Sequence, residues 1–259
     1  MSIAKHVRRI SPRTWFLFKT LRYKFYNGQP EIWLVGHCMI KGALALDIGA
    51  SIGLYSRELA KRAKRVVAFE ANPRVAEFAK SVVPSNVAVE CVALSSARGE
   101  KTLRVPINRR ADTVDDLGTI EPRNTFHADA VVTHTVTSKK LDDYGFADCG
   151  FIKMDVEGHE EAVLEGGLRL IERCRPILMM ELDDRFNPGI VSRVRERLGA
   201  LGYAAFEFRD GCLQPLNQHQ QTDQRNVTGN FVFVPQEAGL PTLSRWDRVG
   251  LAIRSRFGR

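Results

Sequence analysis

From residue 42 onward the chain alternates short apolar runs with longer stretches whose apolar residues recur every three or four positions. Residues 43–48, 66–70, 87–93, 151–155, 177–182, 203–208 and 231–234 are short, mainly apolar runs with the length of strands. Helical spacing runs through residues 54–64, 74–83, 160–165 with a continuation past two glycines to Cys174, and 190–201. Strands that read as unbroken apolar runs are covered on both faces, so the pattern predicts a mostly parallel sheet between helices, a doubly wound α/β domain. Ligands of such sheets sit beyond the carboxyl ends of the strands, so chemistry is expected just after each apolar run.

Two segments break the alternation. Residues 100–150 form the longest gap and hold two further β-like runs, 101–107 and 131–137, around a polar stretch. An insertion of this kind is expected to carry substrate recognition. Near the start of the chain, Trp15, Phe18, Leu21 and Phe25 fall at spacings of three, three and four, an apolar stripe on a helix. The stripe is expected to pack on the sheet or cap an acceptor crevice; the alternative is a segment lying on an anionic membrane. Residues 1–42 and 236–259 are expected as extensions around a domain at 43–235.

Composition narrows the class. The 259 residues, 44% apolar and 26% charged, match an ordinary folded domain. No apolar run approaches the roughly 20 residues of a membrane span, and the N-terminal stretch lacks the apolar core and cleavage site of a secretory signal. Cys38, Cys91, Cys149, Cys174 and Cys212 are widely spaced and form no CxxC pair, which points to reduced thiols in a cytoplasmic protein. The net charge of +8 is concentrated at the ends: residues 1–26 hold seven Lys and Arg with no acid, and residues 245–259 hold five Arg against Asp247. The ends therefore suit an acidic partner, while the body is mildly acidic.

The first motif is ALALDIGASIGLYS, where a strand ends at Asp47–Ile48 and a helix begins near Gly53. Gly49 and Gly53 allow a tight turn and a close backbone approach to a ligand. The spacing is GxxxG, so the GxGxxG of dinucleotide sites and the GK[ST] of the ATP-binding loop are both absent. Glu70 ends the next strand, where an acid can accept from both ribose hydroxyls. A nucleoside without phosphates that carries an amino acid suits Asp47 and Glu70 together, and S-adenosylmethionine is that ligand. A glycine turn without a ligand is the plain alternative.

The second motif is GFIKMDVEGHEEAVLEGG, a buried strand that opens into several acids and a histidine. With LDIGASIGLYS, FEANP, VALSSARGEKTL, KKLDDYG and RPILMMEL in the same order, it resembles the FkbM-type S-adenosylmethionine-dependent methyltransferases over residues 43–182. The resemblance implies a class I Rossmann-like methyltransferase fold with a seven-stranded sheet and one antiparallel strand. It also implies O-methylation of hydroxyls in sugars, glycans, glycolipids or polyketide-like molecules. By position, Asp47, Gly49, Ser51, Gly53 and Glu70 would hold the cofactor, with Asn72 and Ala93 near its adenosine half. Ser51 stands where the family's loop usually has Asn.

Methyl transfer to a hydroxyl needs alignment in a dry pocket and removal of a proton. Three readings of DVEGHE remain open. His159 is the base, tuned by Asp155 or Glu157; or Asp155 or Glu157 takes the proton directly; or the acids and histidine bind a divalent metal. An aromatic residue often replaces the histidine in related sequences, which favours a carboxylate over His159 and leaves metal third. Glu160 and Glu161 read as helix-start acids, Tyr55 and Ser56 as packing residues, and Glu181 as a candidate for acceptor contact. Two rival functions stand beside this one: an RNA or protein methyltransferase that uses the basic ends, and a cofactor-binding protein without activity. No nucleic-acid module is recognisable in the basic ends, which disfavours the former.

Overall fold

The computed structural model of the protein describes residues 11–23, 31–38, 42–107, 118–122, 124, 130–209, 212–216 and 228–238. Two helices come first, α1 (Pro12–Arg22) and α2 (Glu31–Cys38). Then follow β1 (Leu44–Ile48), α3 (Leu54–Leu59), β2 (Arg65–Phe69), α4 (Pro73–Val82) and β3 (Val87–Glu90). A second, smaller sheet is formed by β4 (Ala93–Leu94), β5 (Gly99–Ile107) and β6 (Ala130–Lys139). The chain re-enters the main sheet with β7 (Cys149–Met154) and passes through α5 (Glu160–Gly166), α6 (Leu168–Cys174) and β8 (Ile177–Asp183). It ends with α7 (Ile190–Ala200), β9 (Tyr203–Arg209), β10 (Cys212–Pro215) and β11 (Thr228–Pro235).

The main sheet runs in the order β10-β9-β11-β8-β7-β1-β2-β3. β1 is the first strand in sequence yet lies mid-sheet, pairing in parallel with β2 on one side and β7 on the other. The strand order therefore reverses at β1, and the crevice beyond the carboxyl ends of β1 and β7 is where a doubly wound sheet takes its ligand. The apolar patterning is realised as full burial: every residue of β1 and of β7 is buried.

The sheet holds eight strands among the described residues, against seven expected. β11 is the expected antiparallel strand, pairing with β8 and β9. The eighth, β10, folds back antiparallel on β9 at the sheet edge. Its short Cys-Leu-Gln-Pro sequence has no alternation of its own, so only pairing with β9 makes it a strand. The run at 87–93 also divides: β3 stays in the main sheet, and β4 leaves it to pair in parallel with β6. The helix expected over 54–64 closes at Leu59 and continues as turns.

The N-terminal stripe is turned differently from its expected packing. Phe16 and Thr20 are buried, Trp15, Lys19 and Tyr23 half-buried, and Phe18 and Leu21 exposed. Steps of three residues fall short of a full turn by about 60°, so a 15-18-21 series runs obliquely round the helix instead of holding one face. Phe16 packs with Ile32, Ile52, Leu54, Val75 and Val82, and Trp15 meets Phe78 edge-on at 5.5 Å. Phe25 and residues 239–259 of the basic C-terminal segment lie outside the described residues.

Candidate functional site

A cavity of about 330 Å³ opens at the reversal point. Its wall combines the 49–52 loop after β1, Glu70 and Ala71 after β2, Val92–Leu94 around β4, and Lys153 and Asp155–Glu157 from β7. Glu181 of β8, Leu103, Gly118 and Ile120 of the insertion, and Lys19 and Tyr23 of α1 complete it. The volume lies at the lower end of the range for small-molecule sites, about 300–1,000 Å³.

The loop after β1 is held by its neighbours. Gly49 and Ala50 donate their N–H groups to Phe69 O at 2.9 and 3.0 Å. Ser51 N donates to Glu70 Oε2 at 2.8 Å, and Gly53 N to Ala50 O at 2.9 Å. The loop N–H groups were expected to face a ligand; instead those of Gly49, Ala50 and Ser51 tie the loop to the end of β2, and that of Gly53 closes a turn within it. Gly49 is required by space as well as by its φ of 75°: a Cβ there would stand 1.7 Å from Asp155 O. Ser51 sits at φ 47°, a left-handed conformation that Asn tolerates better than Ser.

Glu70 also accepts from Asn72 N at 2.7 Å, so each carboxylate oxygen takes one loop N–H. A carboxylate has about four acceptor sites, and Glu70 lines the cavity, where ribose hydroxyls would reach it. Asn72 is buried as the N-cap of α4, its Oδ1 accepting from Arg74 N, and does not line the cavity. Ala93 does line it. Asp47 lies behind the cavity wall, fully buried, accepting from Ser56 Oγ at 2.5 Å while its Oδ1 has no partner.

The residue that sequence reasoning passed over is Lys153. β-strand alternation places Asp47, Lys153 and Glu181 on one face of three adjacent strands, with Asp47 and Lys153 in register. The Lys153 side chain is 1% exposed, and its Nζ donates to Asp155 Oδ2 at 2.7 Å. Tyr55 of α3 covers it, with Nζ 4.8 Å from the ring centroid. Burial pushes the ammonium towards neutrality, but Asp155, Asp47 and Glu181 more than offset this, so its pKa lies above the ordinary lysine value. A signal was available: a lone lysine inside the apolar run FIKM must find a counter-charge.

Carboxyls outnumber this one ammonium. Burial, then Asp155, push Glu181 up to about 7. Burial, followed by Asp155, Glu181 and Glu160, pushes Glu157 up to about 9. Burial likewise raises Asp47. An acidic cavity beside a glycine loop and a ribose-type acid fits a cationic nucleoside, and the ammonium and sulfonium of S-adenosylmethionine are such cations. Gly49, Ser51, Glu70, Ala93 and the acids around Lys153 would hold it.

His159 is placed elsewhere. Its Nε2 lies 2.9 Å from Ser95 Oγ and its Nδ1 3.0 Å from Glu121 Oε2, and it does not line the cavity. The neighbouring residues serve the same clamp. Thr119 Oγ1 and Asn124 Nδ2 both donate to the Glu157 carbonyl, at 2.9 and 2.8 Å. Gly166 lets α5 approach the same strand end, since a Cβ there would meet Ser95 O at 2.1 Å. Glu160 accepts from Val156 N and Gly158 N, closing the turn as a helix-start acid does, and burial pushes it up to about 7. The motif thus divides: Asp155 and Glu157 face the cavity, while His159 and Glu160 fasten the turn and the insertion around it. Among the described residues, no group of three or more His, Cys, Asp and Glu is arranged to hold a metal ion.

The solved structures to which this chain is similar include several methyltransferases. A methyltransferase FkbM from Methylobacillus flagellatus KT is 18% identical, with a TM-score of 0.48 over 74% of this chain and 43% of that one. This chain therefore spans less than half of that protein's length. An rRNA methylase from Streptococcus thermophilus (14% identity, TM-score 0.43) is covered over 94% of its length by 79% of this chain. A TehB-like SAM-dependent methyltransferase from Corynebacterium glutamicum (16%, TM-score 0.41) is covered over 87% by 80%. No curated protein matches the sequence. The family model described as Methyltransferase FkbM domain matches residues 47–205, from the Asp47 that opens the loop to the strand beyond α7. With well over half of its length under that one model, the chain belongs to the FkbM methyltransferase family, and its methyl donor is S-adenosylmethionine.

Proposed function

We propose that the protein methylates a hydroxyl oxygen of a sugar, glycan, glycolipid or polyketide-like acceptor. The observation that carries this reading is the unlike pair of carboxyls, Asp155 and Glu157, on one cavity wall shared with the glycine loop. Asp155 is ion-paired to Lys153, whereas Glu157, pushed up to about 9, is protonated at neutral pH. Neighbouring carboxyls held this differently, one by an ion pair and one without it, take separate roles. Asp155 accepts the hydrogen of the acceptor hydroxyl, and Glu157 donates a hydrogen bond to a second acceptor oxygen. S-adenosylmethionine supplies an electrophilic methyl group on its sulfonium. The residues of this chain align the acceptor, exclude water with Ile120, Leu103 and Tyr55, and take the proton. His159, with both ring nitrogens engaged, serves as a positioning residue for the insertion.

The test is incubation of the purified protein with methyl-labelled S-adenosylmethionine and separate panels of hydroxylated glycans, RNA and protein. Label that survives alkali on a glycan or small-molecule hydroxyl is the methyl ether expected. Label on RNA, on amines, or on alkali-labile carboxyl esters overturns the reading. Asp155→Asn is expected to keep cofactor affinity and to lose about 10²–10⁴-fold in turnover, the usual contribution of a general base.

A further inference from the structure

The described residues contain four large apolar side chains that are exposed, and three share one face of α1: Leu17 at 43%, Phe18 at 65% and Leu21 at 47%. At about 100° per residue these three form a strip, and Arg13 and Arg22 border it on its two sides. The opposite face is fully engaged. Phe16 and Thr20 are buried, Trp15 packs on Phe78, and Lys19 and Tyr23 line the cavity. The helix is therefore anchored in the protein by one face and presents an apolar strip with cationic borders on the other. Helix packing does not call for Phe18 to project outward; an interior contact would have placed it at the position of Phe16.

We propose that this face of α1 docks the protein on an anionic lipid surface. Charge selects this occupant. Residues 1–26 carry Lys5, Arg8, Arg9, Arg13, Lys19, Arg22 and Lys24 with no Asp or Glu. A second copy of the chain would bring this like charge against itself, whereas anionic headgroups neutralise it. Leu and Phe side chains entering the acyl boundary and Lys or Arg at headgroup level are the two contributions that interfacial helices combine. No described helix is long and apolar enough to cross a membrane, so the mode is surface attachment. Because Lys19 and Tyr23 of the same helix form cavity wall, docking holds the site at the lipid surface. The inference does not depend on the acceptor's identity.

Sedimentation of the full chain with phosphatidylcholine vesicles, with and without phosphatidylglycerol, tests it. The wild type is expected to pellet with the anionic vesicles only, and less so as salt shortens the screening length from about 10 Å at 0.1 M to about 3 Å at 1 M. The triple variant Leu17→Glu, Phe18→Glu, Leu21→Glu is expected to lose about a hundredfold or more in vesicle affinity while keeping S-adenosylmethionine binding, which reports an intact fold. A Phe18→Trp variant gives a second readout, with its emission expected to shift to the blue on mixing with anionic vesicles alone. Equal pelleting with neutral vesicles, or no shift for Phe18→Trp, overturns the proposal. So does a wild type that self-associates in sedimentation velocity, becomes monomeric in the triple variant, and ignores vesicles.

Discussion

The Lys153 ammonium lies 2.7 Å from Asp155 Oδ2 with almost no access to solvent, and Asp47 and Glu181 share its face of the sheet. A single buried cation thus holds the carboxylate at the cavity wall in place. Replacing it with Met leaves the carboxyls facing one another without a counter-charge. Lys153→Met is expected to destabilise the fold by about 3–5 kcal/mol, measured by denaturant unfolding at neutral pH. The lost counter-charge raises the folded-state pKa values of Asp47 and Glu181 further, and acids with raised folded pKa values favour the fold at low pH and oppose it as pH rises. The deficit against wild type should therefore shrink at pH values near the ordinary carboxylate range. An equal deficit across that range would remove Lys153 from the network.

Glu70 binds two loop N–H groups and lines the cavity. Glu70→Ala frees Ser51 N and Asn72 N and removes the ribose acceptor. Cofactor affinity measured by calorimetry is expected to fall by about 1–3 kcal/mol, roughly fivefold to 150-fold in Kd. Unchanged affinity in a folded variant would place the ribose elsewhere.

Three buried glutamates make stability fall as pH rises. Glu160 and Glu181 are pushed up to about 7 and Glu157 to about 9, from an ordinary value of 4.5. Each folded-state pKa lies above the unfolded one, so the contribution is complete below 4.5 and is lost as pH rises towards 7 for the first two and towards 9 for Glu157. Unfolding midpoints should decline across that window. Glu157→Gln, which stays neutral, should flatten the limb between 7 and 9. A limb that keeps its slope in this variant would contradict the protonated Glu157.

His159→Ala leaves Ser95 Oγ and Glu121 Oε2 without their buried partner. Stability is expected to fall by about 1–3 kcal/mol, with turnover at saturating substrate reduced far less than the roughly 10²–10⁴-fold loss of a general base. A loss of turnover on the scale of Asp155→Asn, in a variant of unchanged stability, would restore His159 as the base.

Gly49→Ala would put a methyl group against the Asp155 carbonyl, which is backbone and cannot swing aside. The end of β7 must move with it, so both stability and cofactor affinity should drop, by about 1–3 kcal/mol in unfolding experiments. A variant with both intact would mean that β1 and β7 separate freely at their carboxyl ends.

Local pattern was sufficient for the parallel sheet, because a strand buried on both faces reads as an apolar run, unbroken in residues 177–180 and broken only by Lys153 in residues 151–154. It was sufficient too for the placing of Gly49, Glu70, Asp155 and Glu157 at strand ends, since topology delivers those ends to one crevice. What the sequence could not determine were relations between segments remote along the chain. Whether His159 faces the cavity or clamps the insertion depends on Ser95 and Glu121, 64 and 38 residues away. Whether Asp47 touches a ligand or stands behind the wall depends on Ser56 and on the strand beside it. The outward turn of Phe18 was hidden for the same reason: several helix faces of α1 are apolar, and only the surface of α4 and the 49–54 loop selected which one is buried. β10 required β9 as a template before four residues without alternation could become a strand. Periodicity records which residues avoid water, while contacts between distant segments choose among the arrangements that all avoid it equally well.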